Sequence, residues 1–340
     1  MSVMNLPEPV IRVLERAMVA EFATVSGAGV PIDTPTYVFP ADDLSSFGVA
    51  TGLAYPAKAT RARNNPKVGL LIEGLPGEPV ISIRGMAAVR DADLQGNAER
   101  YISETGFEGI SFGLTWEEAR KGIWYWTRII VDIAPERVMW WDNAEAMDGA
   151  PHVWQAPPGT QFPPSDPAPP GKGSAPSAWK QRTWREIAAS GVEEGAPGYL
   201  TLCDADGFPL PMRALSCELV NDAFRMEIPG GAPWDGEGKA TLTFRGLQTF
   251  VGDAARDGDT VTLKVERALP EHPLVANPVE VLQPSEEVRE QLMARLKQEA
   301  DRRGQPIPAL TSETPPAPTR LLLLRRERMA QIMAARNEGS

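Results

Sequence analysis

The stretch that decides the fold is FGVATGLAYPAKATRARNNPKVGLLIE, residues 47–73. Its first five residues predict a β-strand that ends at Thr51. Residues 57–64 predict a short helix, which Pro66 stops because proline cannot continue it. The apolar residues that follow predict another strand, residues 67–73. The stretch therefore predicts a strand, a short helix and a strand within a few tens of residues.

Two cations on this helix point to a ligand. Lys58 stands at the helix start, where unpaired backbone N–H groups and the helix dipole favour an anion. Arg61 lies one turn further and can add a fork of donors. The residues predict a phosphate site, and the alternative is a solvated basic face on a surface helix.

The flanking sequence extends the pattern to a small antiparallel barrel. Short strands are joined by Gly- and Pro-containing turns, and helices are inserted between them, which is typical of a mainly β fold. The other predicted elements of this half are a helix at residues 6–18, strands at 21–25, 30–39 and 79–90, helical residues at 91–122, and a last strand at 124–141.

A chain of 340 residues is long enough for two domains. The segment 151–176 is rich in proline, with Gly, Ser and Ala between, and predicts an extended or disordered linker. We predict a first domain at 1–150, a linker at 151–178 and a second domain at 179–340, with a helical insertion at 285–303.

The second half contains three matches to the first, in the same order. Thr24-Val25 with Gly29-Val30-Pro31 resembles Thr201-Leu202 with Gly207-Phe208-Pro209. Residues 67–72 resemble residues 240–244. Residues 127–138 resemble residues 319–329, and we predict that each of these two stretches forms the closing strand of its own half. Either the barrel is repeated or short strand patterns coincide by chance.

These motifs resemble those of the pyridoxamine 5′-phosphate oxidase-like family of FMN-binding split barrels. The resemblance rests on the Thr-ended strand, Lys58 and Asn64-Asn65-Pro66, and on residues 22–36, 81–87 and 135–141, and covers about residues 6–143. It implies a mainly β fold of two tandem FMN-binding split β-barrel domains, the second copy degenerate. It also implies that FMN lies between two barrels.

The resemblance implies which residues bind the cofactor. Lys58 would hold the FMN phosphate, shared with Arg61, the strand residues would line the flavin, and Trp141 would pack at the flavin site. The implied cofactor-binding residues are Thr34, Thr36, Tyr37, Ala50, Thr51, Lys58, Arg61 and Trp141.

Two departures from the family pattern limit which ligands and substrates we expect. The family often places an arginine before the lysine, where this chain has Ala57. The true oxidases grip pyridoxal phosphate with an Arg/His segment, and residues 142–149 contain neither residue. A vitamin B6 substrate is therefore not expected.

The second half lacks the cationic helix, because residues 230–239 are a Gly-rich loop. We expect it to bind no flavin and to act as a partner barrel, with Trp234 at the flavin. The expected assembly is a homodimer or an intrachain pseudo-dimer of barrels.

The predicted function is an FMN-dependent oxidoreductase that acts on a small organic substrate by hydride transfer through the flavin. NAD(P)H is the expected electron donor, Arg84 or Tyr37 could orient the substrate, and no catalytic residue is assigned. Alternatives are the deazaflavin F420, haem, or a non-catalytic flavin-binding or sensing protein. Haem is disfavoured because it needs an axial histidine and the chain has two histidines, His152 and His272.

Composition excludes several other classes. The net charge of −11 argues against nucleic acid and anionic membrane as partners. Two cysteines and two histidines are too few for a Cys/His zinc cluster, so no metal site is expected. Residues 1–16 lack the apolar core of a signal peptide and no run of 18 apolar residues occurs, so a cytoplasmic protein is expected.

Overall fold

The computed structural model describes residues 4–107, 113–174, 183–193, 195–244, 248–270, 282–327 and 330, and it is mainly β with inserted helices. The helices are α1 (Glu8–Arg16), α2 (Ala57–Asn64), α3 (Leu94–Thr105), α4 (Trp116–Ala119), α5 (Ile123–Trp126), α6 (Trp184–Glu193), α7 (Glu286–Arg302) and α8 (320–327). The strands of the first sheet are β1 (Val19–Val25), β2 (Pro31–Pro40), β3 (Phe47–Gly52), β4 (Lys67–Glu73), β5 (Val80–Arg90), β6 (Arg128–Trp141) and β7 (His152–Gln155). Those of the second are β8 (Gly198–Cys203), β9 (Pro209–Arg213), β10 (Ser216–Val220), β11 (Ala223–Glu227), β12 (Gly238–Phe244), β13 (Thr249–Asp257) and β14 (Thr260–Ala268).

The first sheet closes into a six-stranded barrel. Its strands lie in the order β3-β2-β1-β4-β5-β6, and β3 also pairs with β6. Alternate residues of each strand point inward because side chains alternate along a strand. Phe22, Leu70 and Ile83 are buried in this first core, while Gly69 and Leu71 belong to the outer face.

The second sheet repeats the strand order of the first without closing. Its order is β9-β8-β12-β13-β14-β11-β10, in which β9, β8, β12, β13 and β14 take the places of β2, β1, β4, β5 and β6. β11 pairs with β14 as β3 pairs with β6. The described pairings contain none between β9 and β10 or β11, so this sheet is a half-barrel. The mainly β prediction of two tandem split barrels is confirmed.

The first hairpin of each barrel has the same turn. In the first, Ser26 N donates to Val30 O over 2.8 Å and Gly29 N donates to Ser26 O over 2.9 Å. In the second, Asp204 N donates to Phe208 O and Gly207 N to Asp204 O, both over 2.9 Å. Gly29 and Gly207 have φ of 76° and 83°, a left-handed conformation that favours glycine.

One predicted strand is wrong, and another begins later than predicted. Residues 320–327 are helical, so the predicted closing strand at 319–329 does not exist in its described part; residues 328 and 329 lie outside the described residues. Leucine and arginine are strong helix formers, and a run of four leucines has no period that separates strand from helix. Residues 123–126 form α5, so the last strand of the first barrel begins at Arg128 and not at Trp124. Trp124 and Trp126 therefore do not share a strand face.

The two barrels pack through outer faces of their sheets. Gly69 on β4 lies against β9 so closely that an added Cβ would be 1.8 Å from Pro209 O. Thr243 on β12 donates to Asp33 O on β2 over 3.4 Å, and the Tyr199 hydroxyl donates to Glu73. We call this contact the barrel junction.

An ionic network ties the second hairpin to the first barrel. Arg84 is buried and donates to Glu136 over 2.9 Å, to Asp204 over 2.9 Å and to Asp206 over 2.8 Å. Its guanidinium also stacks 4.2 Å from the ring centre of Phe208. The sequence suggested Arg84 as a residue that orients the substrate. In the structure its guanidinium is instead bonded at the barrel junction.

The C-terminal part of the chain returns to the first barrel. Leu282, Leu296 and Ala300 are buried in the first core. Further along, Trp116 Nε1 donates to Ser312 O over 2.9 Å, and Thr319 N donates to Ser103 O over 3.0 Å. The predicted helical insertion at 285–303 corresponds to α7, whose side chains pack on the first domain.

The Pro-rich segment also lies along the first barrel. β7 pairs with β6, and further on Ser165 and Asp166 bond to the end of β5: Val89 N donates to Ser165 Oγ over 3.0 Å, and Asp91 N to Asp166 Oδ2 over 2.8 Å. The described part of this segment is therefore held by hydrogen bonds.

Of the helices in the described ranges, none has both the length and the apolar content needed to cross a membrane.

Candidate functional site

The candidate site begins at α2, which connects β3 to β4. Pro56 caps the helix start with no side-chain hydrogen bond, and Asn65 leaves the helix in an extended conformation. Ala59 and Ala62 are buried against the barrel, which turns Lys58 and Arg61 to one side of the helix. The predicted helix boundaries and the pairing of these two cations on one face agree with this structure.

Lys58 and Arg61 are both half-buried. Burial is the main cause that lowers the pKa of Lys58 to about 8; the nearby charges of Arg61 and Arg128 act in the same direction, and Asp33 and Glu21 act to raise it. Burial also lowers the pKa of Arg61 to about 10. Arg61 Nε donates to Thr24 Oγ1 over 2.8 Å, which fixes its guanidinium beside β1. The two cations destabilise each other's charge, as in a site built for an anion.

Two buried carboxylates stand beside these cations. Glu21 on β1 and Asp33 on β2 are fully buried, and β1–β2 register places Ala23 opposite Asp33. Both carboxylates interact electrostatically with Lys58. They leave the group of Lys58, Arg61, Arg128, Glu21 and Asp33 with one net positive formal charge.

Arg128, at the start of β6, is the third cation and is enclosed by tyrosines. Its guanidinium carbon lies 4.4 Å from the ring centre of Tyr101 and 4.3 Å from that of Tyr125. Burial acts to lower the pKa of Arg128, but Tyr101, Tyr55 and Tyr125 raise it overall. Tyr37 is close enough for Arg128 to affect its pKa, which burial raises. Four of the five tyrosines of the chain thus surround one arginine.

The predicted strand residues lie near this group. Thr34, Thr36 and Tyr37 are half-buried on the part of β2 that β3 leaves unpaired, because β3 pairs only with Val38–Pro40. Ala50 is half-buried and Thr51 buried on β3, which leads to α2. Thr51 Oγ1 donates to Tyr55 O over 3.4 Å. Seven of the eight predicted residues thus lie on β2, β3 and α2, but successive residues of a strand face opposite sides, so Thr34 and Thr36 lie on the other face of β2 from Tyr37.

Trp141 lies elsewhere. It is the last residue of β6, whereas Arg128 is the first, and the ends of a strand of that length are on the order of 40 Å apart along it. The Trp141 ring is buried in the core shared with the second barrel, and its Nε1 donates to Gly149 O over 2.9 Å. The structure does not bring Trp141 together with Lys58.

Trp141 instead lies against the loop between β11 and β12, which corresponds in the second barrel to α2 of the first. In this loop, Gly231 N donates to Met147 O over 2.9 Å. Trp234, in the same loop, is buried in the second core and donates to Leu210 O over 2.8 Å. Trp234 therefore packs within its own barrel, contrary to the expectation that it faces a flavin.

Two buried polar atoms, one on β2 and one at the start of β6, bear on whether a polar ligand fits this end of the barrel. Thr34 Oγ1 and Arg128 Nε have no hydrogen-bond partner among the described residues. Buried polar atoms are almost always paired in native proteins, so the unpaired hydroxyl of Thr34 and the unpaired Nε–H of Arg128 are each compatible with a polar ligand at this end of the barrel. Within the described ranges, no three His, Cys, Asp or Glu side chains are grouped to hold a metal ion.

Comparison with known proteins finds the same fold elsewhere. General stress protein 26 of Bacillus anthracis is 17% identical, with 44% of this chain and 97% of that chain covered and a TM-score of 0.29. A pyridoxamine 5′-phosphate oxidase-related, FMN-binding protein of Nostoc punctiforme is 14% identical, with 46% and 100% covered and a TM-score of 0.32. An F420 reductase is 18% identical, with 39% and 98% covered and a TM-score of 0.31.

No family model and no curated protein sequence matches the chain. The closed barrel and its strand order define the class of fold: the first sheet is a split barrel, and the second sheet repeats its strand order as a half-barrel. The resemblance predicted from the sequence motifs is confirmed at the level of the fold.

Sequence reasoning missed Glu21, Asp33 and the tyrosine-enclosed Arg128. One signal was present, because Glu21 and Asp33 are charged residues inside otherwise apolar or β-prone strands. The tyrosines give no such signal, since they come from β2, the β3–α2 connection, α3 and α5, and only the fold brings them together.

Proposed function

We propose that this protein is an FMN-dependent oxidoreductase that acts on a small organic substrate. The observation that carries the proposal is the convergence of Lys58, Arg61 and Arg128 at an opening of a split barrel, with Lys58 at a lowered pKa of about 8. A phosphate dianion would relieve the repulsion between these cations.

Each residue at the opening has a role in this proposal. Lys58 and Arg61 hold the phosphoryl group, with the Thr34 hydroxyl as a hydrogen-bond donor beside them. Arg128, fixed between Tyr101 and Tyr125, adds a third positive charge near the phosphoryl group. The half-buried Tyr37 and Ala50 line the flat face of the flavin ring. The second barrel excludes water from one side, in the place of a second subunit.

A bound flavin supplies the redox chemistry, because its ring accepts a hydride and passes it on. The chain's residues are then needed for binding, orientation and exclusion of water, which agrees with a site that has cations and tyrosines. NAD(P)H is the proposed electron donor.

The experiment is the absorption spectrum of the freshly purified full-length protein, with mass identification of any released ligand, followed by titration of the apoprotein with FMN. Lys58→Ala should weaken FMN binding roughly tenfold to a hundredfold, the value of one charge-assisted hydrogen bond. Lys121→Ala is the matched control, since the side chain of Lys121 is 68% exposed and lies on another helix end.

An apoprotein that refuses FMN, or a Lys58→Ala variant that binds it as the wild type does, would overturn the proposal. F420 is titrated in parallel, and tighter binding of F420 than of FMN would change the cofactor but keep the site. Steady oxidation of NAD(P)H by the FMN-loaded protein separates an enzyme from a flavin-binding protein without turnover.

A further inference from the structure

A cavity lies on the other side of α2 from Lys58. Its volume is about 160 Å³, and its walls come from α2, the end of β5, the Pro-rich segment and the end of α7. Thr60, Arg63 and Asn64 line it, and at 100° per residue Thr60 and Arg63 each lie at least about 100° around the helix from both Lys58 and Arg61. We call it the α2–α7 cavity.

Three arginines line the α2–α7 cavity with a single carboxylate. Arg63, Arg302, Arg303 and Asp91 are wall residues, and the fully buried Glu299 lies behind Arg302 and Arg303. Three positive and two negative formal charges leave the cavity with one positive charge. That charge stands out in a chain whose net charge is −11.

The arginines are held in place by their carboxylate partners. Arg63 Nη2 lies 2.7 Å from Asp91 Oδ1, and Arg303 Nε lies 2.9 Å from Asp91 Oδ2. Arg302 and Arg303 each donate from Nη1 to Glu299 Oε2 over 2.7 Å. Because the guanidinium groups are already fixed, a ligand would not have to order them.

Two guanidinium nitrogens remain available. Arg63 Nε and Arg303 Nη2 have no hydrogen-bond partner among the described residues, although the other nitrogens of both side chains are bonded. The hydroxyl of Thr60 and the amide of Asn64 add polar groups at the α2 wall. Arginine forks bind carboxylate and phosphate oxygens in preference to single-point anions.

We propose that the α2–α7 cavity binds a small oxyanion, of the size and charge of inorganic phosphate, between Arg63, Arg303 and Thr60. The volume of about 160 Å³ is many times what a single water needs and too small for a nucleotide beside these walls. The site is separate from the proposed flavin site, since α2 stands between them.

The first experiment titrates the full chain with inorganic phosphate by calorimetry and thermal unfolding, at constant ionic strength set with chloride. It is repeated on Lys58→Ala/Arg61→Ala, which lacks the cations of the flavin site. Saturable phosphate binding that persists in the double variant supports the proposal. No binding up to about 10 mM phosphate, ten times the Kd of a weak millimolar site, overturns it. Binding that disappears in the double variant also overturns it, because the phosphate then occupies the flavin site.

The second experiment fills the cavity. Thr60→Phe places a ring in the cavity and leaves the three arginines themselves unsubstituted, whereas Thr60→Ser keeps the hydroxyl and the space. Phosphate binding should weaken at least about tenfold in Thr60→Phe and stay within about twofold in Thr60→Ser. Unchanged binding in Thr60→Phe contradicts the proposal.

A third variant tests the same proposal if the Thr60→Phe protein does not fold. Arg63→Gln removes the available Nε–H and leaves Asp91 paired with Arg303, so the network that docks α7 stays closed. Phosphate binding should again fall about tenfold, the effect of one charge-assisted hydrogen bond. An ionic network that only docks α7 would give no phosphate binding in any of these proteins.

Discussion

The connection between β3 and β4 in the first barrel and its counterpart between β11 and β12 in the second take two different courses. In the first barrel it forms α2, with Lys58 and Arg61 turned to one side and a lowered pKa of about 8 for Lys58. In the second it forms a Gly-rich loop whose Trp234 is buried in its own core. The strands around both connections keep the same order.

The difference shows what each part of the sequence specifies. Strand order depends on many apolar positions and on hairpin turns such as those of Gly29 and Gly207, so it survives extensive change. A ligand site depends on a few residues of one connection. The second barrel has kept its pairing and has filled the position of the site with Trp234 and with Trp141 of the first barrel.

The largest expected effect tests whether the loop now supports the second barrel. Trp234→Ala removes a buried ring and its hydrogen bond to Leu210 O, and should lower the free energy of unfolding by about 3–5 kcal/mol. Trp154→Ala, at a half-buried residue of β7, is the control and should cost clearly less. Equal losses in denaturant unfolding would show that the loop does not carry the second core.

The next effect concerns the barrel junction. Gly69→Ala places a Cβ 1.8 Å from Pro209 O, a backbone atom that cannot rotate away, and should cost about 3 kcal/mol. Gly27→Ala is the control, because no atom lies within 4 Å of the added Cβ. If both variants unfold at the same denaturant concentration, β4 and β9 do not pack as closely as described here.

A smaller effect appears in the pH dependence of FMN binding. Lys58 has a lowered pKa of about 8 in the free protein, and a bound phosphate would raise that pKa towards its ordinary value. Binding then takes up a proton above pH 8, so affinity should be flat between about pH 7 and pH 8, where the phosphate is already a dianion, and fall by up to about tenfold per pH unit above pH 8. Lys58→Arg should give a flat profile over this range. A wild-type profile that is also flat would remove Lys58 from the phosphate site.

The smallest effect compares hydroxyls on the junction face of the second barrel. Thr201 Oγ1 and Thr241 Oγ1 are buried without a partner among the described residues, whereas Thr243 Oγ1 bonds to Asp33 O. Thr201→Val and Thr241→Val should each leave the free energy of unfolding unchanged or raise it by up to about 1 kcal/mol. Thr243→Val should lower it by about 1 kcal/mol. Similar losses in all three would mean that the first two hydroxyls are paired.

The fold was readable from the sequence where local signals agreed. Residues 57–64 and 67–73 were predicted at their observed boundaries, because Pro66 separates a helix-forming stretch from an apolar strand. Residues 319–329 were misread because the leucine run fits a strand and a helix equally well, and only the burial of Leu321, Leu322 and Arg325 on one helical face decides it.

The candidate site was readable only in part. Lys58 and Arg61 are one turn apart on a helix, so their shared face follows from the sequence. The buried acids beside them depend on how β1 pairs with β2 and how α2 packs on both, which no local pattern encodes. The distance of Trp141 from Lys58 could not be predicted for a related reason: a motif gave its position on the strand, but not the position of that strand end relative to α2.

The return of residues 282–327 to the first barrel has a consequence for synthesis. Leu296 and Ala300 complete a core whose other members, such as Trp126, leave the ribosome much earlier. At 5–20 residues per second, the nascent first barrel waits about 10 to 40 s for its last apolar cover. The first barrel therefore exposes apolar surface for nearly half of the chain's translation, so we expect its need for chaperones to depend on residues 282–327 and not on the linker.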